Sequence, residues 1–122
     1  MALDDDYEKD FYAWANEQAA LLRSRKLDQI DVENIAEEIE SMGKSEKREL
    51  LHRLAVLLCH LLKWSFQPVL RHKKSWKATI EVQRIELHLH LKDNPSLKSR
   101  FPDVLVDAFN LGKVNAEKET KI

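Results

Sequence analysis

The side chains of this sequence best suited to acid–base chemistry fall on two segments with helical periodicity. In one segment, imidazole and ammonium groups recur at spacings of one and two turns, and in the other three carboxylates share a face. If the two helices packed side by side, each charged group would shift the pKa of its neighbours, as in an enzyme active site. Structural ion pairs produce the same pattern, and we favour that interpretation. The predicted polar cluster comprises Glu33, Glu37, Glu40, His52, His60 and Lys63.

A metal site is a second possibility raised by the spacing of polar residues. The stretch ELLH has the Glu-x-x-His spacing of helical di-iron proteins, which makes Glu49 and His52 the weak metal candidates. Such a site needs the motif from two helices, and the motif occurs here once. His88 and His90 do not complete it, because residues two apart on a helix point about 200° apart. The sequence therefore predicts no metal and no cofactor.

The segment KWSFQPVLRHKKSWK, residues 63–77, combines cations with aromatic residues and contains no acid. Basic groups with interleaved aromatic rings can hold phosphates and stack bases. Trp64 and Trp76, however, both lie on apolar helical stripes, which favours a place in the core and leaves a short cationic loop. Nucleic-acid binding is therefore the less favoured interpretation. Its candidate residues are Arg71, Lys73, Lys74 and Lys77.

Cys59 is the only cysteine of the chain, so one copy forms neither a disulfide nor a cysteine-based metal site. His60 follows it directly, but neighbouring residues in a helix diverge by about 100°, so the imidazole is not placed to activate the thiol. Cys59 is therefore predicted to be a small core residue. An enzyme remains an alternative, resting on Glu37, His60 and Lys63, and a non-enzymatic role is favoured.

The composition predicts an all-α protein. With only 2 Gly and 3 Pro in 122 residues, the chain has few turn-forming residues to separate the strands of a multi-stranded fold. Its length suits a single domain over residues 1–122. The N-terminus lacks the pattern of a signal peptide, and the longest apolar run is too short to span a membrane. We therefore expect a cytoplasmic protein with no membrane partner.

Helical periodicity assigns the elements that would position these groups. We predict a bundle of four main helices, with a long central one that Ser45 opens and Pro68 ends, and a weaker C-terminal helix. Gly43 is predicted to end the helix before the central one, and the polar tail at 113–122 to fray. Phe101, Leu105 and Phe109 are predicted to point inward. The predicted ranges are 7–25, 31–43, 45–67, 72–92 and 97–112.

The stretch RIELHLHLKD alternates apolar and polar residues, which is typical of a strand, but a single strand would leave its backbone groups unpaired. As a helix, the predicted segment 72–92 that contains most of this stretch carries two opposite apolar stripes. One stripe contains Trp76, Ile80, Leu87 and Leu91, and the other contains Ala78, Val82, Ile85 and Leu89. The second stripe needs its own cover, either the C-terminal segment or a second subunit, and we favour a symmetric homodimer.

Several stretches in their order along the chain resemble one known family. They are DFYAWANEQAALLR, DVENIAEEIESMG, HLLKWSFQP, SWKATIEVQR and DNPSL. They resemble the bacterial family called domain of unknown function 29, which is especially common in cyanobacteria, over roughly residues 7–100. The resemblance implies an all-helical bundle and no established activity, ligand or partner. The positions that look like the family's signature are Trp14, Glu37, Glu38, His60, Leu61, Lys63, Trp64 and Trp76.

Taken together, these patterns favour a non-enzymatic protein-interaction module. The alternatives are a nucleic-acid-binding protein that uses the basic segment, and an enzyme or metal-binding protein that uses the polar cluster.

Overall fold

Helices form all of the regular secondary structure in the described parts of the chain. The computed structural model describes residues 3–72 and 75–120. The prediction of an all-α fold with a long central helix is confirmed. Within these ranges no helix is both long and apolar enough to cross a bilayer. The helices are α1 (Leu3–Lys9), α2 (Phe11–Arg23), α3 (Val32–Phe66), α4 (Trp76–Asp93) and α5 (Phe101–Thr120), with short 3₁₀ segments at Leu27–Gln29, Pro68–Leu70 and Pro95–Arg100.

The chain divides into two compact units, Met1–Lys44 and Ser45–Ile122, and α3 contributes residues to both. The predicted break in this helix was wrong: α3 runs without interruption through Gly43 and Ser45. A glycine that ends a helix usually adopts a positive φ, and Gly43 does not. Its cost inside a helix is only about 1 kcal/mol relative to alanine, and the helix-favouring residues that follow it offset that cost.

In the first unit, Asp31 connects α2 to the start of α3. Its carboxylate accepts hydrogen bonds from Trp14 Nε1 at 2.9 Å and from Asn34 Nδ2 at 2.8 Å. It also accepts one from the backbone N–H of Asn34 at 3.4 Å, as the sequence predicts for a residue that caps a helix. The backbone N–H of Asp31 donates to Gln18 Oε1 at 2.7 Å. Trp14, Gln18 and Asp31 are all buried, so α2 is tied to α3 by polar groups inside the unit.

We expect the stability that Asp31 contributes to depend on pH. Burial alone would raise its pKa, but the hydrogen bonds from Asn34 and Trp14 outweigh burial and hold the pKa below its ordinary value of 3.8. Asp31 therefore stabilises the fold above its unfolded-state pKa, and this contribution is lost as the pH falls through the lowered folded-state pKa. Asp31→Asn should lower the free energy of unfolding by about 1–2 kcal/mol at pH 7 and by less near pH 3. Urea unfolding followed by tryptophan fluorescence measures this difference, and a pH-independent difference would contradict the expectation.

The core of the second unit lies where α3, α4 and α5 meet. It contains Leu50, Leu54, Ala55, Leu87, Val104 and Ala108. The buried residues of α5 recur every four positions, and after Val104 all of them are small: Ala108, Gly112 and Ala116. A Cβ on Gly112 would lie 2.8 Å from the carbonyl oxygen of Ala55, so the two backbones are nearly in contact.

This close packing overturns two expectations for the C-terminal segment. Phe109 and Leu105 were predicted to point inward but are exposed, because the small residues allow α5 to approach α3 more closely than large ones would. Phe101 is half-buried against the core, as predicted. The chain does not fray from Lys113, because α5 continues to Thr120 and buries Ala116.

Helix α4 settles whether its alternating stretch is a strand or a helix. It is a helix over its whole length, with Trp76, Ile80 and Leu87 buried. The opposite stripe is exposed, and α5 does not cover it. Exposed fractions are 51% for Val82, 61% for Ile85 and 45% for Leu89.

Candidate functional site

The most tightly organised polar group of the second unit surrounds His90. This imidazole is only 8% exposed, and oxygen atoms lie against both of its ring nitrogens. Nδ1 lies 2.8 Å from Glu49 Oε2, and Nε2 lies 2.8 Å from the backbone carbonyl oxygen of Glu46. The carboxylate of Glu46 is also near, with Oε2 at 3.7 Å from Nε2. One buried nitrogen ligand and two carboxylates therefore converge from α3 and α4.

The two carboxylates are held by further polar residues. Arg53 donates to Glu49 Oε1 at 3.2 Å, which leaves Oε2 to face His90. Arg53 also lies 3.8 Å from Glu86 Oε2 on α4. The side-chain amide of Asn94 contacts Glu46 Oε2 at 3.4 Å and the backbone oxygen of His90 at 3.1 Å. In the portion of the chain that the structure describes, Glu46, Glu49 and His90 offer ligand atoms that all lie within 4.8 Å of one another.

The metal candidates of the sequence are therefore only partly brought together. Glu49 faces His90 on the neighbouring helix, whereas His52 is exposed on the wall of an open cleft of about 390 Å³ beside Glu49 and Arg53. His90 was not predicted as a site residue, because its spacing from His88 alone indicates only that the two imidazoles point apart. Gln83, Leu87 and His90 follow a spacing of four and three residues, which indicates one helix face and could have placed His90 beside the buried Leu87.

A second polar cluster joins α3 to the end of α5. The Lys63 ammonium is buried, lies 3.1 Å from Glu119 Oε1 and sits 5.1 Å from the centre of the Trp76 ring. The Cys59 thiol donates to Glu119 Oε2 at 3.2 Å. Hydrogen bonds from Cys59 and then from Lys63 hold the pKa of Glu119 below its ordinary value, against the opposing effect of burial.

The same contacts make Cys59 a poor nucleophile. Burial, followed by the hydrogen bond to the Glu119 carboxylate, raises the pKa of the thiol to about 11. The reactive thiolate is therefore scarce at neutral pH. This agrees with the prediction that Cys59 is a core residue.

The polar cluster predicted from the sequence draws its residues from both compact units. Its three glutamates belong to the first unit, and His52, His60 and Lys63 belong to the second. Within the second unit, His60 bonds through Nδ1 to the carbonyl oxygen of Val56 at 2.8 Å, and Lys63 pairs with Glu119. Glu119 was not predicted as a partner, because it lies in the polar tail that was expected to fray. The exposed glutamates of the predicted cluster are Glu33, Glu37 and Glu40.

Of the predicted nucleic-acid residues, Arg71 is engaged within the fold. Its Nε donates to the carbonyl oxygen of Trp64 at 2.7 Å near the end of α3, and its guanidinium lies 5.0 Å from the centre of the Trp64 ring. Lys77 is exposed, and Lys73 and Lys74 lie outside the described residues.

Comparison with known proteins gives one family. The sequence profile of the family described as "Domain of unknown function DUF29" matches residues 7–122. No curated protein and no solved structure matches the chain. Of the positions singled out by the resemblance, Trp14 is buried in the first unit, and Lys63 and Trp76 contact each other in the second.

Proposed function

Since the chain belongs to the DUF29 family, whose description specifies no activity, we propose that it is a non-enzymatic interaction module. Its binding surface is the outer face of α4, defined by Ala78, Val82, Ile85 and Leu89, and its partner is a second copy of the chain. The observation that carries this proposal is the exposure of three large aliphatic residues on one helical stripe.

Leaving such residues in water forgoes roughly 1.5–3 kcal/mol of burial per fully covered side chain. A single exposed aliphatic residue is ordinary on a protein surface, but a continuous stripe is typical of a surface that binds a partner. Val82, Ile85 and Leu89 follow a spacing of three and four residues, so they form one ridge along α4. The same helix buries its opposite face, which holds the ridge in place.

Charges beside this ridge favour a second copy. In a symmetric antiparallel pair of helices, equivalent flanks of the two copies meet, and each contact occurs twice. If Ile85 lies at the symmetry axis, Val82 faces Leu89 of the other copy. Glu81 and Lys92, both exposed on one flank of the ridge, then lie opposite each other in two equivalent ion pairs.

The polar residues of the second unit support a role without catalysis. The ammonium of Lys63 is buried and paired, and the thiol of Cys59 is kept protonated by its raised pKa. The carboxylate beside both groups, Glu119, has a pKa below its ordinary value, which makes it a weak base for activating either of them.

The first test is the solution mass measured by light scattering. We expect the wild type to be a dimer and Ile85→Glu with Leu89→Glu to be a folded monomer, because two carboxylates at each copy's ridge would be buried without partners. Ile39→Glu with Met42→Glu is the matched control, since Ile39 and Met42 are also exposed apolar residues but lie on α3. A wild-type monomer, or loss of the dimer in the control alone, would refute the proposal.

Charge exchange tests the antiparallel arrangement. Glu81→Lys and Lys92→Glu should each weaken the dimer by a few-fold to about tenfold, because each places like charges opposite each other. The double variant should restore most of the affinity, since it re-forms both ion pairs in reverse. Sedimentation equilibrium at low salt measures the dissociation constants. If the loss of dimerisation free energy in the double variant equalled the sum of the losses in the two single variants, these residues would not meet.

A further inference from the structure

We propose that Glu46, Glu49 and His90 form a binding site for a first-row divalent transition metal ion such as Zn²⁺. The site goes beyond the proposed self-association, because it lies where α3 and α4 meet and does not involve the outer ridge of α4. It combines one imidazole nitrogen with two carboxylates, a ligand set found in zinc sites that keep a further position for water.

The spacing of the ligand atoms fits one small ion. Metal–ligand bonds of about 2.0–2.2 Å place neighbouring ligand atoms of a tetrahedral site roughly 3.3 Å apart. The candidate atoms lie within 4.8 Å of one another, and the contact between His90 Nδ1 and Glu49 Oε2 is already 2.8 Å. Oε2 of Glu46 lies nearer to Nε2, at 3.7 Å, and because the Glu46 side chain is exposed, a change in its torsions can bring this carboxylate to the Nδ1 side.

A hydrogen bond holds the His90 ring in the orientation that the proposed site requires. Its Nε2 faces the backbone carbonyl oxygen of Glu46 at 2.8 Å, the kind of partner that fixes the ring N–H of a metal-binding histidine. The same ring orientation turns Nδ1 toward Oε2 of Glu49 at 2.8 Å, so an imidazole nitrogen and a carboxylate oxygen face each other at the place proposed for the ion.

Polar residues behind the carboxylates orient them as the outer partners of metal ligands do. Arg53 donates a hydrogen bond to Oε1 of Glu49, so Oε2 is the oxygen that can bind the ion. The side-chain amide of Asn94 contacts the carboxylate of Glu46. Glu49 also lines the open cleft of about 390 Å³, which gives an ion a route from solvent and room for a water ligand. The carboxylates of Glu46, Glu49 and Glu86 and the guanidinium of Arg53 together carry a net charge of −2, which balances a divalent ion.

The mixed nitrogen and oxygen ligands select among metals. Ca²⁺ takes six to eight oxygen ligands and Mg²⁺ prefers an octahedral shell of oxygens, so three ligands that include a buried imidazole suit neither. Imidazole and carboxylate together suit Zn²⁺, Co²⁺ and related ions.

The experiment is a calorimetric titration of chelator-treated protein with Zn²⁺ alone. We expect one Zn²⁺ per chain and no binding of Mg²⁺. Glu46→Gln and Glu49→Gln should each weaken Zn²⁺ binding at least tenfold, about 1.4 kcal/mol, and the double variant should abolish it. Glu117→Gln and His88→Asn are matched controls, an exposed carboxylate on α5 and an exposed imidazole on α4, and should bind as the wild type does.

Co²⁺ supplies a readout that does not depend on stability. Bound to the wild type, Co²⁺ should give visible absorption bands typical of a low-coordinate nitrogen and oxygen site, and His90→Gln should lose them. Should His90→Gln fail to fold, the Glu46→Gln and Glu49→Gln double variant carries the same test, because both side chains are exposed. Absence of Zn²⁺ binding at about 1 mM by the wild type, or equal binding by the double variant, would overturn the proposal.

Discussion

Gly112→Ala should lower the free energy of unfolding by about 2 kcal/mol, although alanine is the better helix former. The added Cβ would lie 2.8 Å from the carbonyl oxygen of Ala55 and 3.1 Å from the backbone nitrogen of Cys59. These are backbone atoms inside a helix and cannot move aside as the end of a flexible side chain can. Helices α3 and α5 must therefore separate, and the core at Val104 and Ala108 loses contacts.

Gly43→Ala is the matched control for this prediction. Gly43 also lies inside a helix, but a Cβ there meets nothing within 4 Å. The substitution should raise the free energy of unfolding by about 0.5–1 kcal/mol, because alanine loses less backbone entropy on folding. Urea unfolding followed by circular dichroism measures both variants. If both substitutions stabilised the protein, the close approach of α5 to α3 would be wrong.

The second large effect concerns Glu119. Glu119→Ala should lower the free energy of unfolding by about 2–3 kcal/mol, because it removes the charged partner of the buried Lys63 ammonium. The cation–π contact with Trp76 would remain, but it compensates only in part. The half-exposed position of Glu119 keeps the effect below that of a fully buried pair.

The order among related variants makes this prediction specific. Lys63→Met should cost less than Glu119→Ala, because the carboxylate left behind can be hydrated and methionine fills a similar volume. The double variant should be more stable than Glu119→Ala alone, since no buried charge is left unpaired. Glu117→Ala, an exposed carboxylate on the same helix, should change stability by less than about 0.5 kcal/mol. Equal losses for Glu117→Ala and Glu119→Ala would contradict the importance of the buried pair.

Local periodicity predicted the elements of this fold better than their contacts. The two stripes of α4 could be assigned from residue spacing alone, and the structure buries one stripe and exposes the other. Gly43 and Gly112 show where such reasoning stops. Both are glycines inside helices. A Cβ would fit at Gly43 but not at Gly112, and the second result follows only from the packing of α5 against α3.

The polar clusters were harder to predict because they depend on residues far apart in the sequence. Lys63 was expected to meet glutamates before it in the chain, but its partner is Glu119 near the end of α5. Glu49 was expected to act with His52 on its own helix, but its partner is His90 on α4. Residue types were sufficient to identify Lys63 and Glu49 as unusual, whereas pairing them required the packing of three helices.

The small residues of α5 also set the alignment of that helix along α3. Gly112 lies against the backbone at Cys59, and two turns later Glu119 arrives at the Cys59 thiol and at Lys63 one turn further along α3. Because a larger side chain than that of Gly112 would not fit against this backbone, the glycine fixes the register of α5 along α3. In this register the carboxylate of Glu119 reaches the ammonium of Lys63, so the position of a glycine determines which carboxylate neutralises a buried charge.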